Sequence, residues 1–321
     1  MKTASASIIL AGLLALGVSA APAQAQLART YVSAVSGNDG NDCNRLTPCR
    51  TFQVAHDNTL ANGEITVLDP GGYGAVTISK TISIINDGVG EAGVLVSGGL
   101  VGITVNAGAT DTVSLRGLTI KGIGFGGGSG IKFINGASLT IENCAVRNLT
   151  GADPSGHGIL FQPSGQATLA VTNTIIADNS LNGILLVPLG SAIAKAALNR
   201  VELYNNGFAG LNMLGSFASG GALSATVTDS VAANQLGGTG FLVQTVAGHA
   251  SAQLILVRSN VSNNALGVGA AGPAVGYISQ SVISSNTTAW TTASGGALNS
   301  YGDNVVIGNN NQASQPLIPK L

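Results

Sequence analysis

Apolar and polar residues alternate with a period of two in short runs, and the runs return at a nearly fixed pitch. Leu115, Ile141, Val171, Leu198, Val227, Val257 and Ile278 hold matching places in SLRGLTI, TIENCAV, AVTNTII, ALNRVEL, TVTDSVA, LVRSNVS and YISQSVI. A self-similar period of twenty to thirty residues marks a solenoid. The runs are rich in β-branched residues and carry no helical period, so each repeat predicts a coil of short strands.

From Ile65 the strands follow in quick succession as ITVL, AVTI, ISII, GVLV, GITV, TVSL and LTI, separated by Gly, Asn and Asp turns. Residues 65–311 predict roughly nine rungs of three strands each. Stacked rungs place equivalent residues in columns about 4.8 Å apart. Two columns follow the recurring glycines: Ile131, Ile159, Ile184, Leu211 and Phe241, then Phe133, Phe161, Leu186, Met213 and Val243. A second pair is Leu139, Leu169, Ala196, Ala225 and Ile255 with Ile141, Val171, Leu198, Val227 and Val257. All four predict the core. A corner column reads Asn148, Asp178, Asn205, Asn234 and Asn264. Asn tolerates left-handed geometry, and stacked amides can hydrogen-bond from rung to rung, so this ladder reads as structural.

Residues 26–64 form a different unit, predicted to cap the open end that every solenoid has. Thr47-Pro48 reads as a helix start, with Thr as N-cap and Pro at the first position. The helix then runs from Arg50 to Leu60, with Phe52, Ala55 and Leu60 covering the first rung. Residues 312–321 read as a tail. Residues 1–25 read as an export leader: Lys2, the apolar run Ile8 to Val18, and Ala23-Gln24-Ala25 as an A-x-A cleavage site, cut after Ala25. The run is too short to span a bilayer, and no later segment matches it.

Charge narrows the function classes. Only 8% of residues are charged, the net charge is −1, and no Lys/Arg run exists, which argues against nucleic acid. In an oxidising compartment, Cys43 and Cys49 in NDCNRLTPCR predict a disulfide. A metal pair there would need a second pair, and His56 alone is a poor complement. Cys144 falls on an inward position and reads as a small buried hydrophobe.

The repeat G-I-x-L/F, then V-x-I-x-N-x-x-I, then an Asn a few residues on, resembles the right-handed parallel β-helix of the pectin-lyase-like superfamily. The start YVSAVSGNDGNDCNRLTPCRTFQVA with VLDPGGYGAV resembles the N-terminal cap of bacterial secreted β-helix proteins. The resemblance implies an all-β, single right-handed parallel β-helix with an N-terminal helical cap. It leaves activity open between lyases, hydrolases, adhesins and proteins without catalysis.

The family's lyases use an acidic Ca²⁺ cluster, and no stack of acids occupies one column here. Arg116 beside Glu142 and Arg200 beside Asp229 read as surface ion pairs. The family's galacturonases carry Asn-Thr-Asp, Asp-Asp and Gly-His-Gly. Gly156-His157-Gly158 matches the last, but His157 also holds the rung place of Ser129, Asn182, Ala209 and Thr239. No Asp-Asp exists, and Ile175 follows Asn173-Thr174. Asp153, His157 and Asp178, expected on neighbouring rungs, are the candidate catalytic group, since a His between carboxylates can act as acid or base. The glycine run 122–128 leads into a strand and not a helix, so it does not read as a phosphate loop. Gly237-Gly238-Thr239-Gly240-Phe241 lacks the Asp of a Ca²⁺-binding repeat. No cofactor or metal is expected.

One strip is unusual. Lys132, Leu160, Leu185, Asn212 and Leu242, then Ile134, Gln162, Val187, Leu214 and Gln244, should face outward. An exposed apolar strip calls for a cover: a loop, the tail, or another copy through Leu160, Leu185 and Leu242. The leading functional expectation is a secreted polysaccharide-binding or cell-surface scaffold protein without a catalytic site. A lyase or hydrolase acting on an acidic polysaccharide, and a purely structural surface protein, are the alternatives.

Overall fold

A computed structural model of the chain describes residues 26–123, 127–235, 237–314 and 316–319. The expected leader, and residues 124–126 of the glycine run, lie outside them. The chain winds as a single right-handed parallel β-helix. Every strand pairing is parallel, and each strand bonds the equivalent strand of the next coil. One face of the coil is a sheet of nine strands, from Val76–Ile78 to Thr288–Ala293. The other two faces merge where long strands bend round the edge between them, as in Ala167–Ala177 and Ile193–Tyr204.

The core is the set of inward columns. Ile131, Ile159, Ile184, Leu211, Phe241, Val268 and Trp290 pair in register across the nine-stranded sheet. Phe133 and Phe161 stack with ring centroids 4.5 Å apart. On the next face Leu115, Ile141, Val171, Leu198, Val227, Leu256 and Ile278 are in register and buried. Here the expected column slips by one residue: Leu254 and Leu256 point inward, while Ile255 and Val257 take the outer positions. A shift of one residue in a strand exchanges its two faces.

The same slip divides the asparagine column. Asn148, Asp178, Asn205, Asn234, Asn263 and Ser285 are the corner residues, all with φ between 53° and 59°. Asn264 belongs one place further on, with Asn179, Asn206, Gln235, Asn286 and Asn309. That inner column is the ladder. Along most of this column the side-chain carbonyl accepts the backbone N–H one coil earlier: Gln235 from Asn206 (2.8 Å), Asn264 from Gln235 (3.0 Å), Asn286 from Asn264 (3.0 Å) and Asn309 from Asn286 (2.9 Å). The corner leaves these amides without a strand partner, and a buried N–H needs one. A hydroxyl ladder does the same at the other corner, where Ser230, Ser259 and Ser281 accept from Val201, Ser230 and Ser259. Cys144 stands in this second column, buried and unpaired in any disulfide, and burial pushes its thiol up to about 11.

At the N-terminal end, strand Leu27–Val32 adds to Thr59–Val67 in parallel. The helix is Phe52–Asn58, shorter than expected, and its N-cap is Thr51 rather than Thr47. Asp39 decides this. Its carboxylate accepts from the backbone N–H of Arg50 (2.8 Å) and Thr51 (2.9 Å) and holds the chain extended up to Thr51. Phe52 and Ala55 cover the first coil, whereas Leu60 lies in the strand Thr59–Val67, faces outward and is 44% exposed. Cys43 and Cys49 are joined by a disulfide. At the far end, Trp290 Nε1 donates to Ala313 O and Leu317 bridges Ser300, so residues 311–314 and 316–318 follow the last coil and stay off the leucine strip.

Candidate functional site

The site forms where one corner carries an insertion. Between the corner at Asn148 and strand Ile159–Phe161, residues 151–157 loop outward over the nine-stranded sheet. Neighbouring coils tether the loop: Gly156 N donates to Gly128 O (2.7 Å), Leu181 N to Gly156 O (3.0 Å), and Ser180 Oγ to Gly151 O (2.6 Å). Gly158 turns inward, where an added Cβ would stand 2.6 Å from Gly183 O and Ile176 Cγ2. That sends the preceding residue, His157, to the outer side. The Gly-His-Gly letters are therefore accounted for by packing at this corner.

His157 is buried beneath the loop. Its Nε2 lies 3.3 Å from Asp153 Oδ1, and its Nδ1 lies 3.2 Å from Asn182 Nδ2 on the next coil. A carboxylate only accepts, and an amide NH₂ only donates, so the ring proton sits on Nε2 and Nδ1 accepts. Burial pushes this imidazole below its ordinary value, against a smaller upward pull from Asp153. The ring is held neutral and oriented.

Beside this pair runs a cleft of about 390 Å³. Its floor is the predicted strip: Lys132, Leu160, Leu185 and Asn212 are in register on adjacent strands. Leu160, Leu185 and Val187 pack with Leu214 as an apolar cluster separate from the main core. Pro154 and Asp153 form one wall, and Phe208 and Phe217 line the cleft as well. The two rings are 47% and 65% exposed. The polar lining is Lys132, Asp153, His157, Gln162, Asn182 and Asn212.

The expected group of three does not assemble whole. Asp153 and His157 meet in the cleft. Asp178 holds the left-handed corner place that Asn148 holds in the coil of His157; it accepts from Asn205 Nδ2 (2.9 Å) and lines a separate groove with Leu95, Lys121 and Ile123. Leu242 continues the strip but lies outside the cleft. Asn182, Phe208 and Phe217 were not among the expected site residues. Phe208 and Phe217 fall outside the core columns in a chain with only 4% aromatics, and that was the available signal. Asp229 pairs with Arg258 (2.8 Å) and not with Arg200, whose Nε donates to Asn173, and Arg116 lies 3.6 Å from Asp87. Among the described residues no group of three or more His, Cys, Asp and Glu could hold a metal ion, and no helix is long and apolar enough to cross a membrane.

The model of the right-handed β-helix region matches residues 55–220, just over half of the chain. The chain therefore belongs to the right-handed β-helix family. Two solved structures share the fold. A GH136 lacto-N-biosidase from Eubacterium ramulus aligns with a TM-score of 0.56 at 12% identity, over 91% of this chain and 68% of that one. The pectate lyase Pel9A aligns with a TM-score of 0.56 at 15% identity, over 89% of this chain and 78% of that one. No curated protein matches the sequence.

Proposed function

We propose that this is an exported carbohydrate-binding β-helix, and that the cleft over Leu160 and Leu185 is where a polysaccharide chain lies. One observation carries the reading: two exposed phenylalanines line a cleft that combines an apolar floor with six polar side chains. A sugar ring offers carbon–hydrogen faces that stack on aromatic rings and hydroxyls that need fixed partners. A largely apolar cleft with a few placed polar groups suits that ligand. The acidic polysaccharides cut by pectate lyases make such polymers the natural panel to test. The disulfide Cys43–Cys49 supports an oxidising compartment, in line with the leader expected at residues 1–25.

The binding reading stands ahead of a hydrolase because, among the described residues, Asp153 is the one carboxylate lining the cleft, and glycoside hydrolysis in its usual form takes two. A second reading takes His157 as a general base, with Lys132 lining the same cleft: its one lone pair, on Nδ1, is held by Asn182 and must be released before it can take a proton from an acidic sugar. Both are tested by incubating the mature protein with a polysaccharide panel and measuring retention and reducing-end release together. Retention without release supports binding. Release that disappears in His157→Ala makes the protein an enzyme. Neither retention nor release on any polymer leaves a structural surface protein.

A further inference from the structure

Asn212 holds a free donor on the floor of the cleft. The residue is 5% exposed, and Gln244 Nε2 on the next coil donates to its Oδ1 (3.0 Å). An amide's oxygen and nitrogen diverge from one carbon. Gln244 lies outside the cleft, so Nδ2 turns away from it and toward the cleft that Asn212 lines. Nδ2 has no hydrogen-bond partner within the protein and stays open to solvent. Water can match such a donor, but a ligand that covers it must bring an acceptor.

The surroundings say what kind of acceptor fits. Leu185 and Leu242 flank Asn212 in register on the neighbouring strands. Leu214 follows two residues on, in the same strand and on the same side of the sheet, and Phe208 and Phe217 stand beyond the two ends of that strand. The free N–H is therefore set among carbon. A hydroxyl or an acetamido N–H placed there would bring a proton of its own, and Asn212 Oδ1 is already taken by Gln244. A carboxylate would give up its hydration for a single neutral donor. An ester carries neither charge nor proton: its carbonyl accepts from Nδ2, and its alkyl end covers leucine. We infer that the cleft selects an esterified sugar, O-acetylated or methyl-esterified, with the ester carbonyl on Asn212 Nδ2 and the alkyl end against Leu185 and Leu214. Gln244 is then a positioning residue, which turns the amide of Asn212.

The inference rests on the carbohydrate reading and sharpens it, so its test separates the two. The mature chain is titrated calorimetrically with two matched pairs: xylotriose and its mono-O-acetylated form, and trigalacturonate and its methyl ester. The expected result is at least tenfold tighter binding of the ester in one pair or both, and the pair that shows it names the source of the ester. In Asn212→Leu, which removes the donor at similar volume, the preference should fall below threefold. Gln244→Glu should lower it as well, because a carboxylate only accepts, takes Nδ2 and turns Oδ1 to the cleft; this variant is read in about 0.5 M NaCl, which screens the added charge. Equal binding of ester and parent in both pairs by the wild type overturns the ester assignment and leaves the carbohydrate reading standing. A preference that survives in Asn212→Leu overturns the placement at Asn212, and one that survives only in Gln244→Glu overturns the part given to Gln244. Binding of none of the four sugars overturns the inference, and failure of every polymer in the wider panel overturns the carbohydrate reading with it.

Discussion

Asn182 Nδ2 reaches back one coil to His157 Nδ1 at 3.2 Å, and that contact fixes which ring nitrogen carries the proton. The rung-to-rung spacing of a solenoid makes such contacts routine for Asn in the inner ladder. At His157 the same spacing serves a surface cleft: its rung position, buried also at Ser129, Asn182 and Ala209, lines the cleft together with Asp153 of the inserted loop.

Stability should depend on pH through this ring. Burial lowers both His157 and His56 from the ordinary 6.5. The unfolded chain therefore takes up protons at higher pH than the native one. The contribution is complete above about pH 6.5 and is lost as pH falls from there toward the lowered native values. Urea denaturation at intervals from pH 8 to pH 5 should show declining stability below pH 6.5. His157→Asn should make that decline shallower and leave part of it to His56. A decline unchanged in the variant would mean that the ring is not neutral in the native state.

The corner residue Asn234, with φ of 59°, is exposed. Replacement by Ala should cost about 1 kcal/mol, because a Cβ without a polar side chain disfavours this backbone. Replacement by Gly should lie within about 0.5 kcal/mol of the wild type. Equilibrium unfolding of the two variants provides the check, and the order Gly above Ala is the discriminating result.

One position further inward the ladder should be far less tolerant. Asn206 accepts from Asn179 Nδ2 (2.9 Å) and donates to Ile176 O (3.2 Å). Asn206→Ala leaves a buried donor unmatched, and each such group costs about 1–3 kcal/mol. A lowered midpoint in thermal unfolding is expected, with a larger loss than for Asn205→Ala at the adjoining corner.

The Cys43–Cys49 bond closes a short loop, with a sequence separation of 6. A bond of that span contributes about 2 kcal/mol in the chain-entropy account. A Cys43→Ser/Cys49→Ser protein should unfold at lower denaturant concentration by about that amount. Reductant should move the wild type to the same midpoint and leave the double variant unmoved.

The sequence made the coil, its inward columns and the apolar outer strip legible, because a period of two repeated at one pitch leaves few registers open. Where it misled, four apolar residues stood together. Leu254-Ile255-Leu256-Val257 satisfies either register, and only pairing with Ala225 and Val227 on the previous coil decides it. That one residue also carried Asn264 from the inner ladder to the corner. Thr47-Pro48 has good capping chemistry but loses to Thr51, because Asp39, distant in sequence, holds the later turn. The site was half legible. Asp153 and His157 share a loop and could be joined from sequence alone. Phe208 and Phe217 could not, since they flank the two ends of one strand, Ala209–Leu214, and their approach depends on how far the turns at its ends project. Asp178 was misplaced because rung proximity says nothing about which side of a corner a side chain occupies.

The most direct test of the carbohydrate cleft is methyl-resolved NMR of leucine-labelled protein titrated with an oligosaccharide it retains. Binding in the cleft predicts concentration-dependent shifts in the methyls of Leu160, Leu185 and Leu214, with Leu95 and Leu317 unmoved. Saturable binding that leaves Leu160 and Leu185 unshifted would contradict the account and place the sugar on another face of the helix.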